Sequence, residues 1–240
     1  MVPPARMWSM VGASVDYVEQ GRAFFSYLVE HAGLTPSSVV LDVGCGLGKH
    51  AIHFSEYLTS PGRYEGFDIN RHAIHWCNRA IAKRHPNIRF KLVDAKSDRY
   101  NPDASGRASD LSFPYSSNQF DLVFLASVFT HLFDEDIRNY MREIARVLKP
   151  GGTCVATIYL LNESRRRAIS AGPSAFKFAI EHSDSWIEHS DPPESAVAHE
   201  EARVLRSLQE AGLELKEPIR YGAWDRTETQ DQDFLVCVKA

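Results

Sequence analysis

Val39-Val40-Leu41-Asp42-Val43-Gly44-Cys45-Gly46-Leu47-Gly48-Lys49-His50 is the stretch from which the fold of this chain is read. Its first five residues form a short aliphatic, β-branched run, the pattern of a parallel strand buried on both faces. An acid, Asp42, stands in that run, and glycines follow at alternate positions, Gly44, Gly46 and Gly48. Beyond them Ala51-Ile52-His53-Phe54-Ser55-Glu56-Tyr57-Leu58 carries apolar residues at helical spacing. The order is strand, glycine turn, helix. Glycine suits such a turn because φ can be positive there and because a ligand can meet bare backbone. The helix start offers unpaired N–H groups to a carboxylate or phosphate.

The spacing separates one ligand class from another. A dinucleotide fingerprint, Gly-x-Gly-x-x-Gly, counted from Gly44 needs a third glycine at position 49, which is Lys49. The pattern is instead Asp-x-Gly-x-Gly-x-Gly from Asp42, and it resembles motif I of the class I S-adenosylmethionine-dependent methyltransferases. The run Arg146-Val147-Leu148-Lys149-Pro150-Gly151-Gly152 resembles the same family. The likeness covers Val39 to Thr157 in motif detail and Glu200 to the end more loosely.

Further strands are read at Tyr64–Asp68, Ile88–Ala95, Phe120–Leu125, Thr153–Leu160, Leu213–Lys216 and Phe234–Val238. Helices are read at Asp16–Ala32, about Asn70–His85, Asp134–Leu148 and about Glu200–Ala211. With the resemblance, this implies an α/β fold: a Rossmann-like doubly wound seven-stranded sheet, mostly parallel, with an antiparallel C-terminal strand. A single methyltransferase domain is expected over 1–240. Within it, 1–36 would be an N-terminal helical cover and 37–160 the cofactor-binding core. Residues 161–199 would form a variable polar lid over the substrate, and 200–240 a helix and strand pair.

Asp68 falls about 20 residues beyond the glycine turn, where an acid at the end of the neighbouring strand reaches a ribose diol. The resemblance gives Asp68 that role and implies S-adenosylmethionine as cofactor, with Asp42, Gly44, Gly46 and Gly48 at its methionine end. It also carries cofactor contacts onto Ile69, Asp94, Ala95 and Ala126. Asp94 is the first choice for the acid at the adenine. An inserted loop of surface character, Lys96 to Asp110, leaves Asp110 as the second. His131 follows the carboxyl end of a buried strand, where open α/β sheets bind ligands, and is the candidate general base and substrate contact. Tyr17 and Tyr159 are candidate substrate contacts.

Composition bounds the function. The chain has 240 residues with a net charge of −4, 44% hydrophobic and 24% charged, an ordinary globular balance. No long basic run supplies a nucleic-acid footprint, and no apolar run is long enough for a membrane span. Arg165-Arg166-Arg167, the one basic cluster, reads as a solvated helix face, with an anion site as the alternative. The four cysteines, Cys45, Cys77, Cys154 and Cys237, are scattered without metal-type spacing, which points to reduced thiols and a cytoplasmic protein without a signal peptide. The histidine pairs His50/His53 and His72/His75, and the looser group His182, Asp184, His189, Asp191 and His199, fall short of a metal site, so no metal is expected. The expected partner is a small organic molecule, with no nucleic acid or membrane, in a monomer or homodimer. O-methylation of a natural product or sugar is the leading reading. Nitrogen or protein acceptors, a non-catalytic cofactor-binding module and an NAD-dependent oxidoreductase stay open.

Overall fold

The computed structural model describes residues 2–11, 17–227 and 229–240. Asp16, expected to open the first helix, lies outside the described residues; α1 is described as Tyr17–His31. The sheet strands are β1 (Val39–Val43), β2 (Arg63–Asp68), β3 (Ile88–Leu92), β4 (Phe120–Leu125) and β5 (Leu148–Ile158). Four short strands follow, β6 (Leu160–Leu161), β7 (Ile180–His182), β8 (Ser185–Ile187) and β9 (Val197–Glu200), before β10 (Leu213–Leu215) and β11 (Asp233–Lys239). The remaining α-helices are α2 (Ala51–Tyr57), α3 (Arg71–Cys77), α4 (Asp134–Val147), α5 (Glu163–Ala171) and α6 (Glu201–Glu210).

Seven strands make one sheet in the order β10-β11-β5-β4-β1-β2-β3, in which β11 alone runs against its neighbours. This is the doubly wound arrangement expected from the sequence. The five residues of β1 are all buried, as their aliphatic run requires of a central strand. Along β4, side chains alternate between the two faces. Val123 and Leu125 join Ile137, Met141 and Ile144 of α4, while Leu122 and Phe124 join Phe24 and Leu28 of α1 and Phe54 of α2. One sheet thus divides two helical layers, each with its own apolar core. The strand order reverses between β1 and β4, and the crevice outside their carboxyl ends is where such sheets take ligands.

The segment expected to be a polar lid is built differently. A second sheet, in the order β6-β9-β8-β7, holds it together. Phe178, Ala196, Ala198 and Leu161 pack with Tyr159 and Trp224 in a separate apolar cluster. His199 is 1% exposed and its Nε2 lies 3.2 Å from the Phe129 carbonyl. It is a packing residue.

The arginine run is a second correction. Arg165 is 4% exposed rather than solvated. It lies 2.6 Å from the buried Asp225, donates to the buried Asp233, and stands over the Trp224 ring. Arg166 pairs with Glu200 and lies over Trp186, and only Arg167 is an exposed helix-surface partner of Glu163. Asp233 also accepts from the backbone N–H groups of Leu160 and Gly222. This buried cluster pins α5 and the start of β11 together. Arg165→Ala is therefore expected to cost about 3–5 kcal/mol, because the buried Asp233 loses its counter-charge while Asp225 keeps Arg226. Urea denaturation of the variant would check this, and a loss below about 1 kcal/mol would contradict it.

Candidate active site

The turn after β1 is shaped by three glycines with φ of 76°, 52° and 76° at Gly44, Gly46 and Gly48. Space demands glycine as well. A Cβ on Gly44 would sit 2.5 Å from a Val128 methyl, and one on Gly48 would sit 2.6 Å from Ile81 Cδ1. Gly44 and Cys45 donate their N–H groups to the Phe67 carbonyl of β2, at 2.9 and 3.0 Å. The turn is thereby tied to the neighbouring strand.

Asp68, at the end of β2, completes the tie. One carboxylate oxygen accepts the Gly46 N–H at 2.7 Å and the other accepts the Asn70 N–H at 2.7 Å. Burial raises its pKa and these backbone donors oppose the rise. Gly44, Gly46, Asp68, Ile69, Ala95 and Ala126 all line a crevice of about 670 Å³, a size suited to a drug-sized ligand. The sequence-derived residues Tyr17, His131 and Tyr159 line the same crevice.

Three expected cofactor contacts do not line it: Gly48 turns toward Ile81 and Cys77 and shapes the turn from behind, and Asp42 and Asp94 are directed elsewhere. Asp42 is 1% exposed and lies beneath the turn, accepting the Tyr64 hydroxyl at 2.5 Å. Burial pushes its pKa up to about 7, against the pull of Tyr64 and Lys49. Its carboxylate is committed to the Tyr64 hydroxyl of the neighbouring strand and does not line the crevice. Asp94 is exposed outside the crevice and accepts the Ser105 hydroxyl at 3.2 Å. The reason is the insertion: Lys96 N–H donates to the Gly106 carbonyl at 2.7 Å, folding residues 104–107 back beside Asp94. Asp110 does not replace it, being exposed beside Arg107.

The insertion itself does reach the crevice, contrary to its expected surface character. Tyr100, Arg107 and Ala108 line the wall. Ser97 donates to Glu194 at 2.5 Å, and Arg99 donates to the Ser195 carbonyl at 3.2 Å. These contacts clasp the insertion to the short turn Pro193–Ser195. Asp136, in the first turn of α4, brings a carboxylate to the crevice, with its Oδ2 accepting the Phe133 N–H at 3.1 Å. In the sequence it reads as an ordinary acid at a helix start, which is why it escapes notice.

His131 is held from below by the same clasp. Its Nδ1 lies 2.8 Å from the Glu194 carbonyl, which can only accept, so Nδ1 carries the proton and Nε2 is left as the acceptor. Nε2 faces the Tyr100 hydroxyl at 3.5 Å. Burial pushes the His131 pKa down to about 4, so the ring is neutral near pH 7. Ser127, just past β4, adopts φ of 60°, a conformation uncommon outside glycine. Its N–H donates to the Thr157 hydroxyl at 2.7 Å and its own hydroxyl meets Gln232.

Three crevice residues carry a buried polar atom with no hydrogen-bond partner among the described residues: Tyr17 Oη, His50 Nδ1 and Thr130 Oγ1. Buried polar atoms ordinarily find partners, and a polar ligand is the partner these would have. A nucleoside with an amino-acid end fits that need and the glycine-lined wall. Among the described residues, no group of three or more His, Cys, Asp or Glu side chains could hold a metal ion. All four cysteines are free and buried. No helix is long and apolar enough to cross a membrane among the described residues.

Residues 40–152 match the family described as a methyltransferase domain. The chain is 33% identical over 126 residues to the sterol 24-C-methyltransferase of Schizosaccharomyces pombe, spanning 52% of this chain and 29% of that protein. It is 35% identical over 114 residues to the fatty-acid O-methyltransferase of Mycolicibacterium smegmatis, spanning 47% of this chain and 34% of that protein. The chain thus matches about a third of the length of these curated relatives. In fold it is similar to a SAM-dependent methyltransferase from Aquifex aeolicus, with a TM-score of 0.60 at 14% identity and 100% of both chains covered.

The buried Asp42 has a measurable consequence. Between pH 4 and 7 the folded chain holds a proton on Asp42 that the unfolded chain releases, so this group's contribution to stability falls as pH rises and is gone above about 7. Asp42→Asn is expected to remove that slope while still accepting from Tyr64. Relative to wild type, the variant should gain on the order of 2 kcal/mol in passing from pH 5 to pH 8. Urea denaturation at the two pH values checks it, and parallel behaviour of the two proteins would contradict it.

Proposed function

We propose that this chain, whose residues 40–152 belong to the class I S-adenosylmethionine-dependent methyltransferases, methylates an oxygen of a small organic acceptor such as a natural product or a sugar. When bound, S-adenosylmethionine supplies a methyl group already activated by its sulfonium charge. The chain must then align the acceptor, exclude water and accept one proton. Gly44 and Gly46 would lie against the methionine end, with Ala126 beside them and Gly48 shaping the turn from behind. Asp68 would take the ribose diol, since its two oxygens accept the Gly46 and Asn70 N–H groups, with Ile69 N–H adding to them, and a carboxylate retains capacity for a further donor. Ile69 and Ala95 would flank the adenine side of the crevice.

The observation that carries the oxygen reading is the tautomer of His131. Its acceptor nitrogen, Nε2, faces the Tyr100 hydroxyl on the crevice wall because Nδ1–H is committed to the Glu194 carbonyl, and an acceptor hydroxyl would take the place of Tyr100 there. A ring with a pKa of about 4 is a weak base. A hydroxyl oxygen, however, becomes strongly acidic as it gains a methyl group, so a weak base at the right place suffices. With the cofactor supplying the methyl group and keeping the sulfur as a neutral thioether, His131 Nε2 would take the proton that the acceptor hydroxyl gives up. Tyr17 and Tyr159 offer aromatic walls to the acceptor. The net charge of −4 does not suit a polyanionic acceptor.

Two variants test separate parts of this reading. Asp68→Asn is expected to weaken S-adenosylhomocysteine binding by about 10- to 100-fold, the loss of a charge-assisted hydrogen bond. His131→Gln is expected to leave that binding intact and to lower turnover of a hydroxyl acceptor by about 100-fold or more. Transfer of labelled methyl groups to a panel of hydroxyl, amine and carbon acceptors is the readout. Turnover confined to amine or carbon acceptors, or indifferent to His131→Gln, would contradict the oxygen reading.

A further inference from the structure

Lys49 occupies the position where a dinucleotide turn would carry its third glycine, and the function just described leaves it unused. It follows Gly48 directly and lines the crevice. Its stem is held in place by α1. A Cβ on Gly21 would meet the Lys49 carbonyl at 2.9 Å and its Cγ at 3.1 Å, so the helix passes as close as glycine allows. Tyr17 stands one turn earlier on the same helix and reaches the same crevice.

Lys49 is the cation at this end of the crevice, and unsatisfied polar groups stand beside it. No ion pair or hydrogen bond among the described residues engages its ammonium. Asp42 is the one acid that acts on it, and Asp42 is committed to the Tyr64 hydroxyl and half-protonated near neutral pH. Burial lowers the Lys49 pKa and Asp42 opposes that fall. His50, the next residue, has an unpartnered Nδ1, and Tyr17 has an unpartnered hydroxyl. A partly desolvated lysine with uncommitted donors beside it is complementary to an anion. One lysine matches a singly charged carboxylate, whereas a doubly charged phosphate would leave charge uncompensated in a part-buried site.

We propose that Lys49 is the carboxylate-binding residue of this crevice, an inference that rests on the methyltransferase reading of the same site. The carboxylate could come from the amino-acid end of the cofactor or from an acidic acceptor. Ligands with and without that group separate the two sources. Lys49→Met keeps the length of the stem and removes the charge. Calorimetry of wild type and variant would use S-adenosylhomocysteine and 5′-methylthioadenosine, which lacks the amino-acid end, followed by decanoate and decanol as acceptor probes.

If the cofactor is the source, Lys49→Met weakens S-adenosylhomocysteine about 10- to 100-fold and leaves 5′-methylthioadenosine unchanged. If the acceptor is the source, both nucleosides bind as before and decanoate loses affinity by a similar factor relative to decanol. In either case Lys49→Arg, which retains the charge, recovers most of the loss. Should Lys49→Met melt early, Lys49→Gln carries the same comparison. Wild-type binding of all probes that is unchanged in the variants overturns the inference and leaves the methyltransferase reading standing. A wild-type protein that binds neither nucleoside overturns both.

Discussion

The structure depends on how the chain leaves β1. Three residues with positive φ must follow one another at alternate positions, and at two of them a side chain would collide with Val128 or Ile81. The cost of ordering such a turn is met by hydrogen bonds to β2: two N–H groups to the Phe67 carbonyl and the Gly46 N–H to Asp68. Asp68 therefore has two duties. It closes the turn from one side and presents its remaining acceptor capacity to the crevice from the other. A change that loosens this contact acts on turn and ligand together.

The opposite wall is assembled from parts far apart in sequence. The insertion after β3, the turn at Pro193–Ser195 and His131 beyond β4 meet through Ser97, Glu194 and the Glu194 carbonyl. That clasp fixes the tautomer of His131 and brings Tyr100 opposite it. Burial and orientation of the histidine thus come from loops, while the wall around Gly44 and Gly46 is sheet and turn. In an α/β fold this division lets a loop-built wall vary while the sheet-built wall stays fixed.

The sheet was legible because its central strands are buried on both faces and read as unbroken aliphatic runs, and because α4 has a clear apolar stripe. The glycine turn and Asp68 were legible because backbone conformation leaves a mark in local sequence. Orientation of exposed or inserted groups was not. Asp94 stands where the pattern expects an acid, yet its direction is set by residues 104–107 folding back on it. Arg165 looked like part of a solvated face because Asp233, its buried partner, is 68 residues away. Tyr100 and Asp136 reach the crevice by tertiary packing that no local period encodes.

The central claim is that the crevice beside the glycine turn takes S-adenosylmethionine. Calorimetric titration of the purified protein with S-adenosylmethionine, S-adenosylhomocysteine and NAD tests it most directly. The account predicts micromolar binding of the first two at one site per chain and none of the third. Binding of NAD alone, or of none of the three, would contradict it.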